Sequence, residues 1–167
     1  IDEGEYGGEG KYVEVKKPLS IYGAIGRGKT MLVGVGLKIQ GKKSDGIVEI
    51  GDLTMKGGEG AGLFACEGMN VIMKRCTVVD CQEMGVCALK ADIISCVDLQ
   101  VLGCGMSGVF VSVCSTSALK GGNATITLSG QGTSIQGNVT DEYPSQFGLN
   151  AYSFFSKINL VAPLTKE

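Results

Sequence analysis

The sequence contains no histidine. Histidine is the side chain that most often moves protons near neutral pH, and it is the commonest metal ligand in proteins. Its absence excludes His-dependent acid–base catalysis, His metal sites and Ser-His-Asp triads. The cysteines include no Cys-x-x-Cys pair, which argues against a zinc site. No cofactor and no metal ion are therefore predicted.

Excess charge and long apolar runs are missing as well. The 15 basic and 17 acidic residues give a formal net charge of −2, whereas a nucleic-acid-binding protein is expected to carry a basic face. Glycine or a charged residue interrupts the apolar runs, and none is long enough to span a membrane. Neither nucleic acid nor a membrane is therefore predicted as a partner.

Proline is scarce and glycine is abundant. The chain of 167 residues contains three prolines and 27 glycines, a composition typical of a turn-rich β protein with little helix. A chain of this length can bury a core of its own. A single all-β domain over residues 1–167 is therefore predicted.

Residues 46–114 contain an internal repeat in which the same kind of residue returns at every twenty-third position. Leu53, Cys76 and Leu99 occupy the same position in successive repeats. Four further positions keep their apolar or small character: Val48, Val71 and Ile94; Ile50, Met73 and Cys96; Met55, Val78 and Val101; Gly62, Gly85 and Gly108. A period of this length indicates stacked supersecondary units.

Within each repeat the apolar residues lie two or three apart, and glycines separate the groups. That spacing is typical of short strands joined by turns and does not fit an amphipathic helix. The repeat therefore predicts a single-stranded, three-faced parallel β-helix. Its coils would contain about 23 residues and stack at the strand spacing of about 4.8 Å.

Three rows of the repeat, VEIGDLTMKGGEGAGLFA, VIMKRCTVVDCQEMGVCA and IISCVDLQVLGCGMSGVFV, resemble right-handed parallel β-helix proteins of the pectate-lyase-like superfamily. The opening segment, EGEYGGEGKYVEVKKPLSIYGAIGRGKTMLVG, is similar to the first coil of that group. The chain most resembles the short β-helix domains called carbohydrate-binding and sugar-hydrolase domains, which also occur in F-box proteins. The resemblance implies a right-handed helix. It leaves the activity open, because this fold hosts lyases, hydrolases, epimerases and binding modules.

The repeat also predicts the organisation of the domain. Residues 1–34 form the first coil, residues 35–114 the regular coils and residues 115–167 the closing coils with inserted loops. Gly148 continues the glycine position of the repeat but lies further from Gly108 than one regular step, so the insertions fall at 115–122 and 138–146. Pro163 and the charged tail would blunt the exposed end of the stack.

The seven cysteines are an odd number, whereas a secreted disulfide framework prefers an even one. Cys76 and Cys96 occupy apolar positions of the repeat, so packing as small buried hydrophobes is expected. Cys81 and Cys104 share a position and could form a disulfide between neighbouring coils, so thiol and disulfide both stay open. Thiols in the core favour a reducing, intracellular compartment.

One segment satisfies the spacing of a phosphate-binding loop, since four residues separate Gly23 from Gly28-Lys29-Thr30. Such a loop binds phosphate at the N-terminus of a following helix. The next residues are β-branched and interrupted by glycine, which predicts a strand. A loop between coils is therefore expected here, without nucleotide binding.

Asp52, Arg75 and Asp98 share one position of the repeat and precede inward residues, so an outward series of acid, base and acid is predicted. The resemblance makes the series a catalytic candidate, because polysaccharide lyases of this fold use Asp-bound calcium and an Arg base. Asp80 adds a carboxylate for a hydrolase pair, although nothing in the spacing singles out such a pair. The alternative is a surface ion-pair ladder, since two Asp around an Arg neutralise one another.

A second candidate site is aromatic. If Leu63, Val86 and Val109 point inward, then Phe64, Cys87 and Phe110 point outward as a ladder, because strand side chains alternate between faces. Asn150 and Tyr152 would lie beside the ladder in the next coil. Such a row could stack against sugar rings or contact a protein partner. A register error of one residue would bury the row instead.

The leading function is a non-catalytic recognition module that binds a polysaccharide or a protein partner through Phe64, Phe110, Asn150 and Tyr152. The alternative is a polysaccharide lyase, hydrolase or epimerase that uses the catalytic candidates Asp52, Arg75, Asp80 and Asp98. The four glycoside-hydrolase motifs that the resemblance implies, Asn-Thr-Asp, Asp-Asp, Gly-His-Gly and Arg-Ile-Lys, do not occur. A structural stack within a longer protein is the third possibility.

Overall fold

A computed structural model describes residues 1–8, 11–26, 28–90, 93–113, 123–139, 147–153 and 155–162. These residues form β-strands and one short 3₁₀ turn, Lys43–Asp45. The strands are β1 Gly4–Gly7, β2 Tyr12–Val15, β3 Ser20–Tyr22, β4 Thr30–Val33, β5 Gly36–Gln40, β6 Ile47–Gly51, β7 Thr54–Lys56, β8 Leu63–Cys66, β9 Asn70–Lys74, β10 Thr77–Val79, β11 Val86–Leu89, β12 Ile93–Val97, β13 Gln100–Leu102, β14 Val109–Ser112, β15 Ala124–Ser129, β16 Ser134–Gln136, β17 Leu149–Ala151 and β18 Ser156–Val161.

The strands form three parallel sheets, and each sheet takes every third strand. Sheet A is β1-β4-β7-β10-β13-β16, sheet B is β2-β5-β8-β11-β14-β17, and sheet C is β3-β6-β9-β12-β15-β18. Every coil of the chain therefore gives one strand to each sheet. The predicted all-β stack of parallel coils is confirmed.

The repeat positions lie directly over one another in this stack. In sheet A, Met55 pairs with Val78 and Val78 with Val101, at the step that the repeat predicted. At the corner before this sheet, Thr77 N donates to the Leu53 carbonyl and Gln100 N donates to the Cys76 carbonyl, both at 3.0 Å. Inward positions of the three sheets together form one apolar core, to which Leu53, Cys76 and Leu99 belong.

The glycine position of the repeat has a steric cause. A Cβ atom on Gly62 would overlap Cγ1 of Val78, and one on Gly85 would overlap Cγ1 of Val101. The Gly85 Cβ would also lie 2.5 Å from the carbonyl oxygen of Gly108. Each glycine therefore leaves room for a core valine of sheet A and for the backbone of the following coil.

The charged position of the repeat marks the corner between sheets C and A. Asp52, Arg75 and Asp98 have φ values of 52°, 53° and 55°, which place all three in the left-handed region. Asp80, with φ 55°, occupies the next corner, after sheet A. Such corners turn the chain from one sheet to the next, and aspartate adopts this conformation more readily than most residues.

The segment with the spacing of a phosphate-binding loop leads into a strand, as predicted. Thr30 begins β4, and its hydroxyl bridges the Ala24 N–H and the Asp2 carbonyl at 2.9 Å each. Lys29 forms an ion pair with Glu3 at 2.7 Å. No helix follows among the described residues, so the anion site that the motif requires is not formed there.

The six described cysteines are all buried thiols, and Cys114 lies outside the described residues. Cys81 and Cys104 are therefore not joined by a disulfide. The pKa of Cys104 is raised, first by its hydrogen bond with the Cys81 thiol and then by burial. Cys76 and Cys96 lie in the core, as their apolar repeat positions predicted.

Helices able to cross a membrane do not occur in the described part of the chain. The insertion at 115–122, most of the one at 138–146, and Pro163 with the charged tail fall outside the described residues.

Candidate functional site

Arg75 and Asp52 form a two-pronged ion pair at the corner between sheets C and A. Arg75 Nε donates to Asp52 Oδ1 at 2.7 Å, and Arg75 Nη2 donates to Asp52 Oδ2 at 2.6 Å. The Asp52 side chain is 5% exposed, whereas that of Arg75 is 51% exposed. Asp98, at the same corner of the next coil, accepts the Gly132 N–H at 2.9 Å through Oδ1. Asp52 and Arg75 are thus joined, and Asp98 also orders a turn of the following coil.

This ion pair makes Arg75 unsuitable as a catalytic base. The hydrogen bonds from Arg75 lower the pKa of the Asp52 carboxyl against an opposing effect of burial. The same hydrogen bonds raise the pKa of the Arg75 guanidinium. A general base must release its proton near the working pH, so a raised guanidinium pKa is the opposite of what a lyase base requires.

Asp80 does not join the other catalytic candidates. It follows β10 at the corner after sheet A, where a Cβ added to Gly103 would lie 2.7 Å from its Oδ1. Asp52, Arg75 and Asp98 all lie at the other corner, after sheet C. Within the described ranges, no group of three or more His, Cys, Asp or Glu side chains is placed to hold a metal ion. The four candidates therefore lie at two separate corners, and their catalytic role stays a prediction.

Arg75→Met is expected to lower the free energy of unfolding at pH 7 modestly, because it removes both hydrogen bonds to Asp52 while the Arg75 side chain itself is half exposed. Since Arg75 lowers the pKa of Asp52, this stabilisation is complete above about pH 4, the ordinary pKa of aspartate. It is lost as the pH falls through the folded-state pKa. Urea unfolding followed by far-UV circular dichroism, repeated from pH 7 downward, measures the difference.

Lys90→Met is the matched control, because Lys90 also lies at a corner with positive φ, here 61°. Methionine keeps the Cβ atom at both positions, so the backbone cost is the same before and after the change. Lys90→Met should change stability by less than about 0.5 kcal/mol. An Arg75→Met deficit of equal size at every pH would show that Arg75 stabilises by packing instead of by its charge.

The outer face of sheet B carries the aromatic candidates in the predicted register. Leu63, Val86 and Val109 are fully buried and point inward. Phe64 pairs with Cys87, and Cys87 pairs with Phe110, which pairs with Asn150, so the four form one outward row. The register that would have buried this row does not occur.

Two pairs of stacked rings lie on this face. The rings of Phe110 and Tyr152 have centroids 6.3 Å apart and planes inclined by 30°. The rings of Tyr12 and Phe64 have centroids 5.8 Å apart and planes inclined by 26°. We call Tyr12, Phe64, Phe110, Asn150 and Tyr152 the aromatic face.

Tyr12 is a member that the sequence did not reveal. It pairs with Gly36 in the next coil, and Leu37 of that strand pairs with Leu63 in the coil after. In both pairs the two residues are further apart in the sequence than one regular repeat. The repeat therefore could not align the first coil with the others. Tyr12 is fixed by the Ala61 N–H, which donates to its hydroxyl at 2.9 Å, and burial raises its pKa.

Cys87 differs from what the ladder predicted. It points outward by register but is only 1% exposed, between Phe64 and Phe110. Its side chain therefore lies buried between the two aromatic pairs and is not accessible to a ligand or a partner protein. Tyr152, in contrast, is 76% exposed and is the most accessible ring of the aromatic face.

Polar groups flank the rings at both ends. Asn150 Nδ2 donates to the buried Ser107 hydroxyl at 3.4 Å. At the other end, Lys11 forms an ion pair with Glu83 and lies 5.8 Å from the centre of the Tyr12 ring. The face is thus amphipathic: two pairs of aromatic rings lie on it, and hydrogen-bonding side chains lie beside them.

Comparison with known proteins gives no match. No family model, no curated protein and no solved structure is significantly similar to the chain.

Proposed function

We propose that this chain is a non-catalytic recognition module that binds a carbohydrate chain along its aromatic face. The observation that carries the proposal is the placement of two stacked aromatic pairs on one outer face of the solenoid. The proposal includes the finer fold suggested by the sequence rows, a right-handed β-helix of the pectate-lyase-like superfamily.

The dimensions of the face suit an elongated ligand. Phe64 and Phe110 are two rungs apart in sheet B, which is about 10 Å along the stack at about 4.8 Å per rung. A chain of sugar rings lying along the stack would meet the two aromatic pairs in succession. Aromatic rings bind the apolar faces of sugars, while their polar edges need hydrogen-bonding partners such as Asn150.

The rigidity of the face also supports recognition. Four of its five residues lie in paired strands of a six-stranded sheet, and the fifth, Tyr152, directly follows β17 and donates its N–H to the Val111 carbonyl at 2.9 Å. A site that is already ordered loses little conformational entropy on binding, so even a shallow face can give measurable affinity. A protein partner would use the same aromatic contacts and is therefore an outcome that the test must separate.

Phe110→Ala and Tyr152→Ala are each expected to weaken carbohydrate binding about tenfold, which corresponds to about 1.4 kcal/mol of binding free energy. A glycan array identifies the ligand, and titration calorimetry measures the affinity. Tyr22→Ala is the control, because Tyr22 is a partly exposed aromatic on sheet C, outside the aromatic face. It should leave the affinity unchanged.

Assays for reducing sugar and for unsaturated uronate accompany the titration. Binding without turnover supports the recognition module. Turnover that Asp52→Asn or Arg75→Met abolishes would replace it with the enzyme alternative. Absence of any bound glycan, or equal affinity of the Tyr152→Ala variant and the parent chain, would overturn carbohydrate recognition by this face.

A further inference from the structure

Four neighbouring strands of sheet B contain no charged residue. They are β8, β11, β14 and β17, with the sequences LFAC, VCAL, VFVS and LNA. Phe64, Phe110 and Asn150 lie in these strands, and Tyr152 directly follows the last of them. This part of the aromatic face therefore has no charged side chain on its own strands.

The charged side chains within the strands of sheet B are confined to its first two strands. Glu14 of β2 and Lys38 of β5 precede Phe64 in the same outward row. Lys38 Nζ lies 3.5 Å from Glu14 Oε1, and Lys16 Nζ lies 2.6 Å from Glu14 Oε2. The pKa of Glu14 is lowered, first by its hydrogen bond from Lys16, so the carboxylate stays ionised beside both lysines.

Further charges beside the aromatic face are also matched in sign. Lys11 forms an ion pair with Glu83 next to the Tyr12 ring. Glu67 and Lys90 occupy one repeat position at the corner after sheet B, so opposite charges follow one another in neighbouring coils. A carboxylate on a ligand would therefore approach cations that lie close to protein carboxylates, and those carboxylates would repel it.

We propose that the glycan bound by the aromatic face is neutral: a chain of hexoses without uronate or sulfate groups. This inference rests on the proposed carbohydrate recognition and specifies its ligand class. Recognition of an acidic chain requires unpaired cations, or carboxylates arranged around a bridging calcium ion. In the part of the chain that the structure describes, no group of three or more Cys, Asp or Glu side chains is placed to hold such an ion.

The polar groups on the uncharged strands suit a neutral sugar. The amide of Asn150 and the hydroxyl of Ser112 lie on the outer side of β17 and β14. Both groups can donate and accept hydrogen bonds without carrying charge, as the hydroxyl groups of a hexose do. The two aromatic pairs would contact the apolar faces of the same sugar rings.

Matched pairs of hexamers test the proposal with the full chain. The pairs are glucose and glucuronate, mannose and mannuronate, and galactose and galacturonate, with one linkage in each pair, so that the members differ only in the oxidation of C6. In titration calorimetry at low salt, a neutral hexamer should bind about tenfold tighter than its acidic partner. Added salt should leave the affinity of the neutral hexamer unchanged, because screening acts on charges.

Ser112→Lys supplies a cation that the uncharged strands lack. The strands on either side of it, β11 and β17, contain no carboxylate. The variant should bind the acidic hexamer about tenfold tighter than the parent chain does at low salt, and the gain should disappear at high salt. Ser95→Lys, on the outer face of sheet C, is the matched control and should give no gain. Glu83→Gln, which frees Lys11 beside Tyr12, tests the same effect if circular dichroism shows that Ser112→Lys is not folded.

The outcomes separate this inference from the proposed function. An acidic hexamer that the parent chain binds as tightly as its neutral partner overturns the neutral ligand and leaves carbohydrate recognition in place. Binding of some other glycan on the array, but of no hexamer, does the same. A chain that binds no glycan in either experiment overturns both. The absence of a gain in Ser112→Lys and in Glu83→Gln, or an equal gain in Ser95→Lys, overturns charge as the basis of the selection.

Discussion

Gly85→Ala is expected to lower the free energy of unfolding by about 3 kcal/mol, although it adds a single methyl group. The new Cβ atom would overlap Cγ1 of Val101, which is fully buried in the core of sheet A. It would also lie 2.5 Å from the carbonyl oxygen of Gly108, so the backbone of the next coil would have to move. Urea unfolding followed by far-UV circular dichroism measures the loss.

Gly148→Ala is a matched control at the same ladder position, in the last coil. The nearest atom to its added Cβ is Cγ2 of Ile135, at 3.9 Å, which is an ordinary contact distance. Both variants gain the same small benefit from a less flexible unfolded chain. Gly148→Ala should therefore change stability by less than about 1 kcal/mol. Equal losses of stability at Gly85 and Gly148 would contradict the steric explanation of the glycine position of the repeat.

The stack of coils could be predicted from the sequence because neighbouring coils place like residues in contact. Met55, Val78 and Val101 keep an apolar character because each packs on the next. A repeated apolar position of this kind can be recognised in the sequence wherever the number of residues from one coil to the next is constant. The repeat therefore revealed the parallel stack, the inward register of sheet B and the outward row that contains Phe64 and Phe110.

The same periodicity was less informative about the charged residues. Asp52, Arg75 and Asp98 recur because a corner with positive φ recurs, and corners tolerate polar side chains without requiring that they act together. The structure shows that Arg75 donates to Asp52 and that Asp98 accepts a hydrogen bond from the Gly132 N–H. The repeated charged residues identified the corner correctly, but their repetition could not show which group each side chain contacts.

Irregular steps hid the remaining features. Tyr12 reaches the aromatic face through two ladder steps that are both longer than the regular one, and a search for a constant step cannot detect them. Cys87 points outward by the alternation of its strand, yet it is buried in the row between Phe64 and Phe110. The alternation along a strand therefore predicts which face of the sheet a residue occupies. The exposure of that residue also depends on the size of its neighbours.

Leu128→Ala is expected to lower the free energy of unfolding by about 3 kcal/mol, because it removes buried methyl groups and leaves a cavity in the core. Leu128 is 1% exposed and packs in sheet C between Cys96 and Leu160 of the adjoining coils. In a solenoid each coil contacts only its neighbours, so the loss should weaken the last coils most. Hydrogen exchange of the β15 and β18 amides, together with urea unfolding, measures where the stability is lost.

Leu160→Ala provides the comparison at the same ladder position. Its side chain is 58% exposed, so the truncation should cost less than about 1 kcal/mol in the monomer. A Leu160→Ala loss as large as that of Leu128→Ala in the monomer would mean that this end of the stack is covered by the chain itself. One pair of variants therefore compares a buried and an exposed leucine at the same ladder position.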